Sequence, residues 1–220
     1  MFVSHKHRFV IFPDPMGACN WLGHRLEPWL DQPTARNRKS STETHFFYGM
    51  SPAEAELAFD MIGQPYSLYT SIAIIQNPFR RMVKLYDRIA LTDPLWQMRR
   101  ALGGSDPTFA HWLQNTRASG PGAGYSRGAR WRRFGAWSAQ AWAGQKVTHL
   151  VPLESPDQLQ QILRSQGIPL NLRCRASDHE MFQFPEMSRY DATSAALIKE
   201  RYWSDLSLYR LQQPELRLIA

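Results

Sequence analysis

Two cysteines in 220 residues, Cys19 and Cys174, are all that the chain offers for thiol chemistry. They allow at most one disulfide, which excludes a densely cross-linked secreted scaffold; two reduced thiols in the cytoplasm are the expectation. No Cys-x-x-Cys pair occurs, and no spacing suggests a zinc site. No run of eighteen apolar residues exists, so the sequence predicts nothing that spans a membrane. The apolar stretch Phe9–Phe12, which follows a charged start, is too short for the core of a signal peptide. Gly-Lys-Ser and Gly-Lys-Thr are both missing, which excludes a Walker A phosphate loop. Acidic residues are in short supply: 19 Asp and Glu face 26 Lys and Arg, for a formal charge of +7 and a pI near 9.7. That surplus attracts polyanions (nucleic acid, anionic lipid, phosphorylated cofactors, acidic sugars) without choosing among them.

What is present is enough for one sizeable core, with 43% hydrophobic and 12% aromatic residues, and a single domain over residues 1–220 is expected. Phe9-Val10-Ile11-Phe12 reads as a buried strand. A turn follows, then Trp21, Leu22, Leu26, Trp29 and Leu30 recur at helical spacing from about Asn20. Ser51-Pro52-Ala53-Glu54 combines a capping Ser, a first-turn Pro and a Glu placed to close a capping box, so a helix starts there and ends at Gly63. Residues 69–75 form a second predicted strand. Pro78 opens a helix with Phe79, Met82, Val83, Tyr86 and Ile89 on its apolar face and Arg80, Arg81, Lys84, Asp87 and Arg88 opposite. Two short helices are expected over residues 94–117, and a glycine-rich basic loop over 120–133. A third strand is predicted over 147–153. A second Ser-Pro cap signature stands at Ser155, and closing helices span 191–211. Buried strands alternating with helices predict an α/β fold, three-layered, with a mainly parallel sheet flanked by helices. Residues 5–8, His-Lys-His-Arg, read as a solvated terminus.

Ligands of open α/β sheets sit beyond the carboxyl ends of the strands, and two segments stand there. In the first, residues 13–20, backbone amides at a helix start can cradle a phosphate, with Gly17 allowing close approach; an ordinary tight turn capped by Asn20 is the other reading. In the second, residues 76–86, the cluster Arg80, Arg81 and Lys84 stands in the first turns of a helix, where cations oppose the dipole. Either a bound anion offsets that conflict, or the cluster is a solvated face. Near the basic loop, Arg127, Arg130, Arg132 and Arg133 interleave with Tyr125 and Trp131. The pattern suits gripping a donor or an anionic acceptor, or nucleic acid, which is the less favoured partner. Trp137 and Trp142 are expected to pack in the core.

Taken together these segments resemble the carbohydrate (membrane-type) sulfotransferase family. The strand–turn–helix around PDPMGAC is similar to the family's PKTGGTS segment, and QNPFRRMVKLY is similar to its RNPYDRLVSxY segment. THLVPLESPDQLQQIL resembles the late strand–Glu–helix of that fold. YDATSAALIKERYWSDLSLY resembles its closing helix, with Tyr202 and Asp205 in a Tyr-x-x-Asp pattern. The resemblance implies a P-loop-like sulfotransferase fold. It also implies a donor cofactor, 3′-phosphoadenosine 5′-phosphosulfate, and a hydroxyl-bearing small molecule or saccharide as acceptor. It places the donor on Pro15, Met16, Gly17, Ala18, Cys19, Asn20, Gln76, Arg80, Arg81 and Lys84, with Arg127 and Arg130 closing over it. It calls for a His or Glu base, for which His45 is the candidate and His24 a poorer one. The chain departs from the pattern where the family has its loop Lys, here Asp14, and where it has its 3′-phosphate Arg, here Gln76. Lys84 stands where the family has a hydroxyl. Either Lys84 supplies the cation that position 76 has lost, or the donor site has decayed. The sequence sets neither the oligomeric state nor the acceptor.

Overall fold

In the computed structural model the chain is described at residues 1–13, 19–32, 34, 45–47, 49–115, 143, 146–172 and 188–212. Four strands form one sheet in the order β1 (Phe2–Ser4), β2 (Phe9–Phe12), β3 (Thr70–Ile75), β4 (His149–Pro152). β2 and β3 are parallel, with Phe9 opposite Thr70 and Phe12 opposite Ala73. β3 and β4 are parallel, with Ile72 opposite His149 and Ile75 opposite Pro152. Parallel strands are covered on both faces, so they read as uninterrupted apolar runs. FVIF is buried at every residue, and so is β3 after Thr70. The α/β class and the mainly parallel sheet follow the sequence reading.

β1 is the element that composition did not predict. It pairs antiparallel with β2, Phe2 opposite Ile11 and Ser4 opposite Phe9. Residues 5–8 are therefore not a solvated terminus but the turn of a hairpin. Lys6 and Arg8 remain exposed, while Met1, Phe2 and Val3 are buried. Arg8 takes a left-handed φ of 50°, uncommon outside glycine. Its carbonyl accepts the amide of Thr70 at 2.8 Å, which starts the β2–β3 ladder.

The helices among the described residues are α1 (Cys19–Leu26), α2 (Pro52–Met61), α3 (Pro78–Thr92), α4 (Pro94–Ala101), α5 (Phe109–Asn115), α6 (Pro156–Ser165), α7 (Ala192–Arg201) and α8 (Trp203–Gln212). The chain divides into two compact units, Met1–Gln76 with Trp142–Phe182, and Asn77–Ala141 with Gln183–Ala220.

The first unit holds the sheet. Phe2, Phe9, Ile11, Ile72, Ile74, Val151 and Leu153 form one cluster with Leu22 and Leu26 of α1 and Leu159 and Leu163 of α6. Each fully buried Leu or Ile contributes about 1.5–3 kcal/mol. Gly23 lets α1 settle on the hairpin: a Cβ there would stand 3.1 Å from the Phe2 ring. A second, aromatic cluster gathers on Phe59 of α2, with ring centroids 5.1 Å from Phe46, 4.6 Å from Tyr69 and 5.4 Å from Tyr66. Tyr66 donates to the Lys146 carbonyl at 2.9 Å, and burial pushes its hydroxyl pKa up to about 12. Ser71 and Thr148 lock the start of β3 to the approach of β4: each backbone amide donates to the other's hydroxyl, at 3.3 and 2.8 Å.

The second unit is helical. α3 buries Phe79, Met82, Val83, Leu85 and Ile89. Aromatic rings continue its face, Tyr86 lying 5.4 Å from Phe109 and 5.5 Å from both Trp96 and Trp112. The Tyr86 hydroxyl donates to the Pro107 carbonyl and that of Tyr190 to the Phe79 carbonyl, both at 2.7 Å. Asp191 and Ser194 close a capping box at the start of α7.

Candidate functional site

In the first unit, β2 and β3 end as parallel neighbours, the place where such sheets bind ligands. β2 stops at Phe12 and passes through Pro13 into the segment ahead of α1. Cys19 and Asn20 open α1, so a helix follows the strand as the sequence predicted. Pro15, Met16, Gly17 and Ala18 lie outside the described residues, as do the side chains of Cys19 and Asn20. On the neighbouring strand, the ladder runs one step past β3, the amide of Leu153 donating to the Ile75 carbonyl at 2.7 Å. Gln76 comes next. It is 1% exposed, and neither its Oε1 nor its Nε2 has a hydrogen-bond partner among the described residues. Leaving a buried polar group unmet costs about 1–3 kcal/mol. The resemblance marked this position by what it lacks, a cation; the structure adds a buried carboxamide with neither half bonded among the described residues.

In the second unit, Asn77 caps α3, its Oδ1 accepting the Phe79 amide at 3.0 Å while its carbonyl accepts the Arg81 amide at 2.9 Å. The basic run of α3 is not a solvated face. Arg80 is 1% exposed and Arg81 3%; Lys84 is half-buried, and Arg88 alone of the four is exposed. Arg81 donates to the Asp205 carboxylate at 3.1 Å, a buried ion pair, and its guanidinium lies 5.2 Å from the centre of the Tyr202 ring. For Arg81 the anion that the helix dipole called for is thus supplied internally, by α8. Burial raises the Tyr202 hydroxyl pKa against the pull of the Arg81 and Arg201 cations. The Tyr-x-x-Asp pattern does bring Tyr202 and Asp205 together, and their shared neighbour is Arg81.

His45 is exposed on a bend, and His24 is exposed on α1. The histidine with the richest surroundings is one that sequence reasoning passed over. His5 places Nδ1 2.6 Å from the Tyr69 hydroxyl and Nε2 3.2 Å from Gln32 Oε1. Both ring nitrogens are thus engaged, and the Tyr69 hydroxyl also donates to Gln64 Oε1 at 3.4 Å. Beside it, Asp31 accepts the amides of His5 and Lys6, each at 2.7 Å, and the Ser4 hydroxyl at 3.2 Å. Partial burial works against the Asp31 charge, but the two amides and the hydroxyl outweigh it and hold the carboxyl below the usual carboxylate range. Burial, seconded by Asp31, raises the Tyr69 pKa. This network pins the hairpin turn at the amino ends of β2 and β3, opposite their carboxyl ends, and its geometry is that of a fastening.

Arg127, Arg130, the rest of the basic loop, and Trp137 and Trp142 lie outside the described residues. Among the described residues no three His, Cys, Asp or Glu side chains gather to hold a metal, and no helix is long and apolar enough to cross a membrane. Comparison of the chain with family models, with curated proteins and with solved structures returns no match.

Proposed function

We propose that this chain is a cytoplasmic, sulfotransferase-like protein of P-loop-like fold. In this reading it binds 3′-phosphoadenosine 5′-phosphosulfate at the carboxyl ends of β2 and β3 and transfers the sulfuryl group to a hydroxyl acceptor such as a saccharide. The observation that carries the reading is the parallel pairing of β2 with β3. Phe12, which precedes the first segment of the resemblance, and Ile75, which precedes Gln76 of the second, thereby end adjacent strands. The chemistry is in-line: the acceptor oxygen forms a bond to sulfur as the bond from sulfur to the phosphate oxygen breaks. Adenosine 3′,5′-bisphosphate leaves, and the acceptor proton passes to a base. His45 is the base the resemblance assigns.

A second reading, a non-catalytic binder of a nucleotide or an acidic glycan, is favoured by one feature. Gln76 brings no charge to the place where the family brings a cation, and a cation there stabilises the negative charge that develops during transfer. One experiment separates the two. Adenosine 3′,5′-bisphosphate should raise the Tm of the full chain, by a stabilisation of RT ln(1 + [ligand]/Kd). A shift together with transfer of labelled sulfate to a sugar supports the enzyme. A shift without transfer supports the binder. No shift at millimolar ligand rejects both.

A further inference from the structure

Gln76 presents an unusual demand. Its carboxamide is a planar donor–acceptor pair, with Nε2 offering two protons and Oε1 two lone pairs. The side chain is 1% exposed, and both atoms lack a hydrogen-bond partner among the described residues. A group that answers only one of them leaves the other unmet in a place that water does not reach. A bare phosphate or sulfate oxygen would accept from Nε2, but it would also face the lone pairs of Oε1, and its charge would be buried without a cation from Gln76. A purine edge answers both at once: the exocyclic amine of adenine donates beside a ring nitrogen that accepts. This is the two-point pairing by which Gln and Asn read adenine elsewhere.

We infer that Gln76, at the carboxyl end of β3, recognises the donor–acceptor edge of an adenine base and not a phosphate. This deepens the nucleotide reading above and rests on it. It turns the substitution at position 76 from a lost phosphate contact into a change in which part of the nucleotide is held there. Because the amide is sealed in the ligand-free chain, the base reaches it only as the covering residues part, and association is slower than into an open cleft.

The test uses the full chain and three probes: adenosine, adenosine 3′,5′-bisphosphate and inorganic phosphate. Affinities are read by calorimetry on the wild type, Gln76→Leu and Gln76→Glu. Without ligand, Gln76→Leu should have a Tm equal to or above that of the wild type, since it removes two unmet polar atoms. A clear fall in Tm would show that the amide is already bonded and would overturn the inference. Adenosine should bind the wild type, and both variants should weaken it at least tenfold, whether or not sulfuryl transfer is ever seen. If the bisphosphate binds the wild type and Gln76→Leu equally, the inference fails while the nucleotide reading stands. If phosphate binds and Gln76→Leu abolishes it, position 76 reads an anion and the inference fails. If no probe binds, both fail.

Discussion

Arg81 and Asp205 stand 124 positions apart and share one buried hydrogen bond. At 4% and 2% side-chain exposure, neither group falls back on water if the other is removed. Asp205→Ala should therefore cost about 3–5 kcal/mol in urea denaturation, the usual penalty for stranding one charge of a buried pair. The double replacement Arg81→Met with Asp205→Leu should recover part of that loss, because it strands neither charge of the pair. A single variant no less stable than the double would mean that the pair carries no such penalty. Asp31 works in the other direction, near the surface. Its folded pKa lies below the unfolded value near 3.9, so the unfolded chain binds the extra proton in that window and stability rises with pH. The contribution is fully present above the unfolded pKa and is lost as pH falls through the folded one. Asp31→Asn should be less stable than the wild type at neutral pH, and the two stability curves should converge on acidification. Parallel curves would show that the carboxylate charge is not what fastens the hairpin turn.

Among the elements, α2 shows how far local chemistry reaches. Ser51 and Glu54 close the box the sequence promised: the Glu54 amide donates to the Ser51 hydroxyl at 3.3 Å, and the Ser51 amide donates to the Glu54 carboxylate at 2.8 Å. Ser51→Ala should cost about 1 kcal/mol, read as a shift of the denaturation midpoint at constant m. The same signature at Ser155 starts a helix without closing a box. Ser155 sits at φ −120°, ψ 64°, and its first turn is closed by the Gln158 amide on the Ser155 carbonyl at 3.1 Å. The two central strands were legible because an unbroken apolar run has few other uses; the bounds of FVIF match the residues that pair. β1 was not legible. Three residues carry no periodicity, and what makes them a strand is the partner they find in β2. The site was legible to a similar depth. The sequence picked out position 76 and the Tyr-x-x-Asp pattern, but the burial of Gln76 and the pairing of Arg81 with Asp205 are tertiary facts that no local pattern encodes.

α4 runs against the usual helix logic. It buries no residue, and Leu95, Met98 and Leu102 stand 64%, 57% and 80% exposed. Its polar side chains turn back onto α3 instead. Gln97 donates to the Leu91 carbonyl at 2.8 Å, Arg100 donates to the Ala90 carbonyl, and Asp93 caps the first turn through the Leu95 amide at 2.8 Å. A helix that buries none of its residues, held by exposed hydrogen bonds and the contact of Trp96 with the Tyr86 ring, opens at low cost. Its amides should exchange faster than those of α3 by native-state hydrogen exchange. Equal protection would show that it unfolds only with the rest of its unit.

For the whole molecule the decisive quantity is the formal charge of +7, which predicts attraction to any polyanion and so threatens every binding experiment with a false positive. Salt separates diffuse attraction from a built site. Exposed charges are screened over about 10 Å at 0.1 M salt, and a protein making 6–10 phosphate contacts loses roughly 10³–10⁵ in DNA affinity between about 50 and 200 mM. A base edge held by a buried carboxamide gains nothing from released counterions, so its affinity barely follows salt. DNA retention should therefore collapse across that range, while the thermal shift from adenosine persists. If the two fade together, the chain is a basic surface that collects polyanions, and neither the donor site nor the role given to Gln76 survives. If DNA retention alone holds at high salt, the nucleic-acid reading set aside on sequence grounds is the one to pursue, because only close and specific contacts resist screening to that degree.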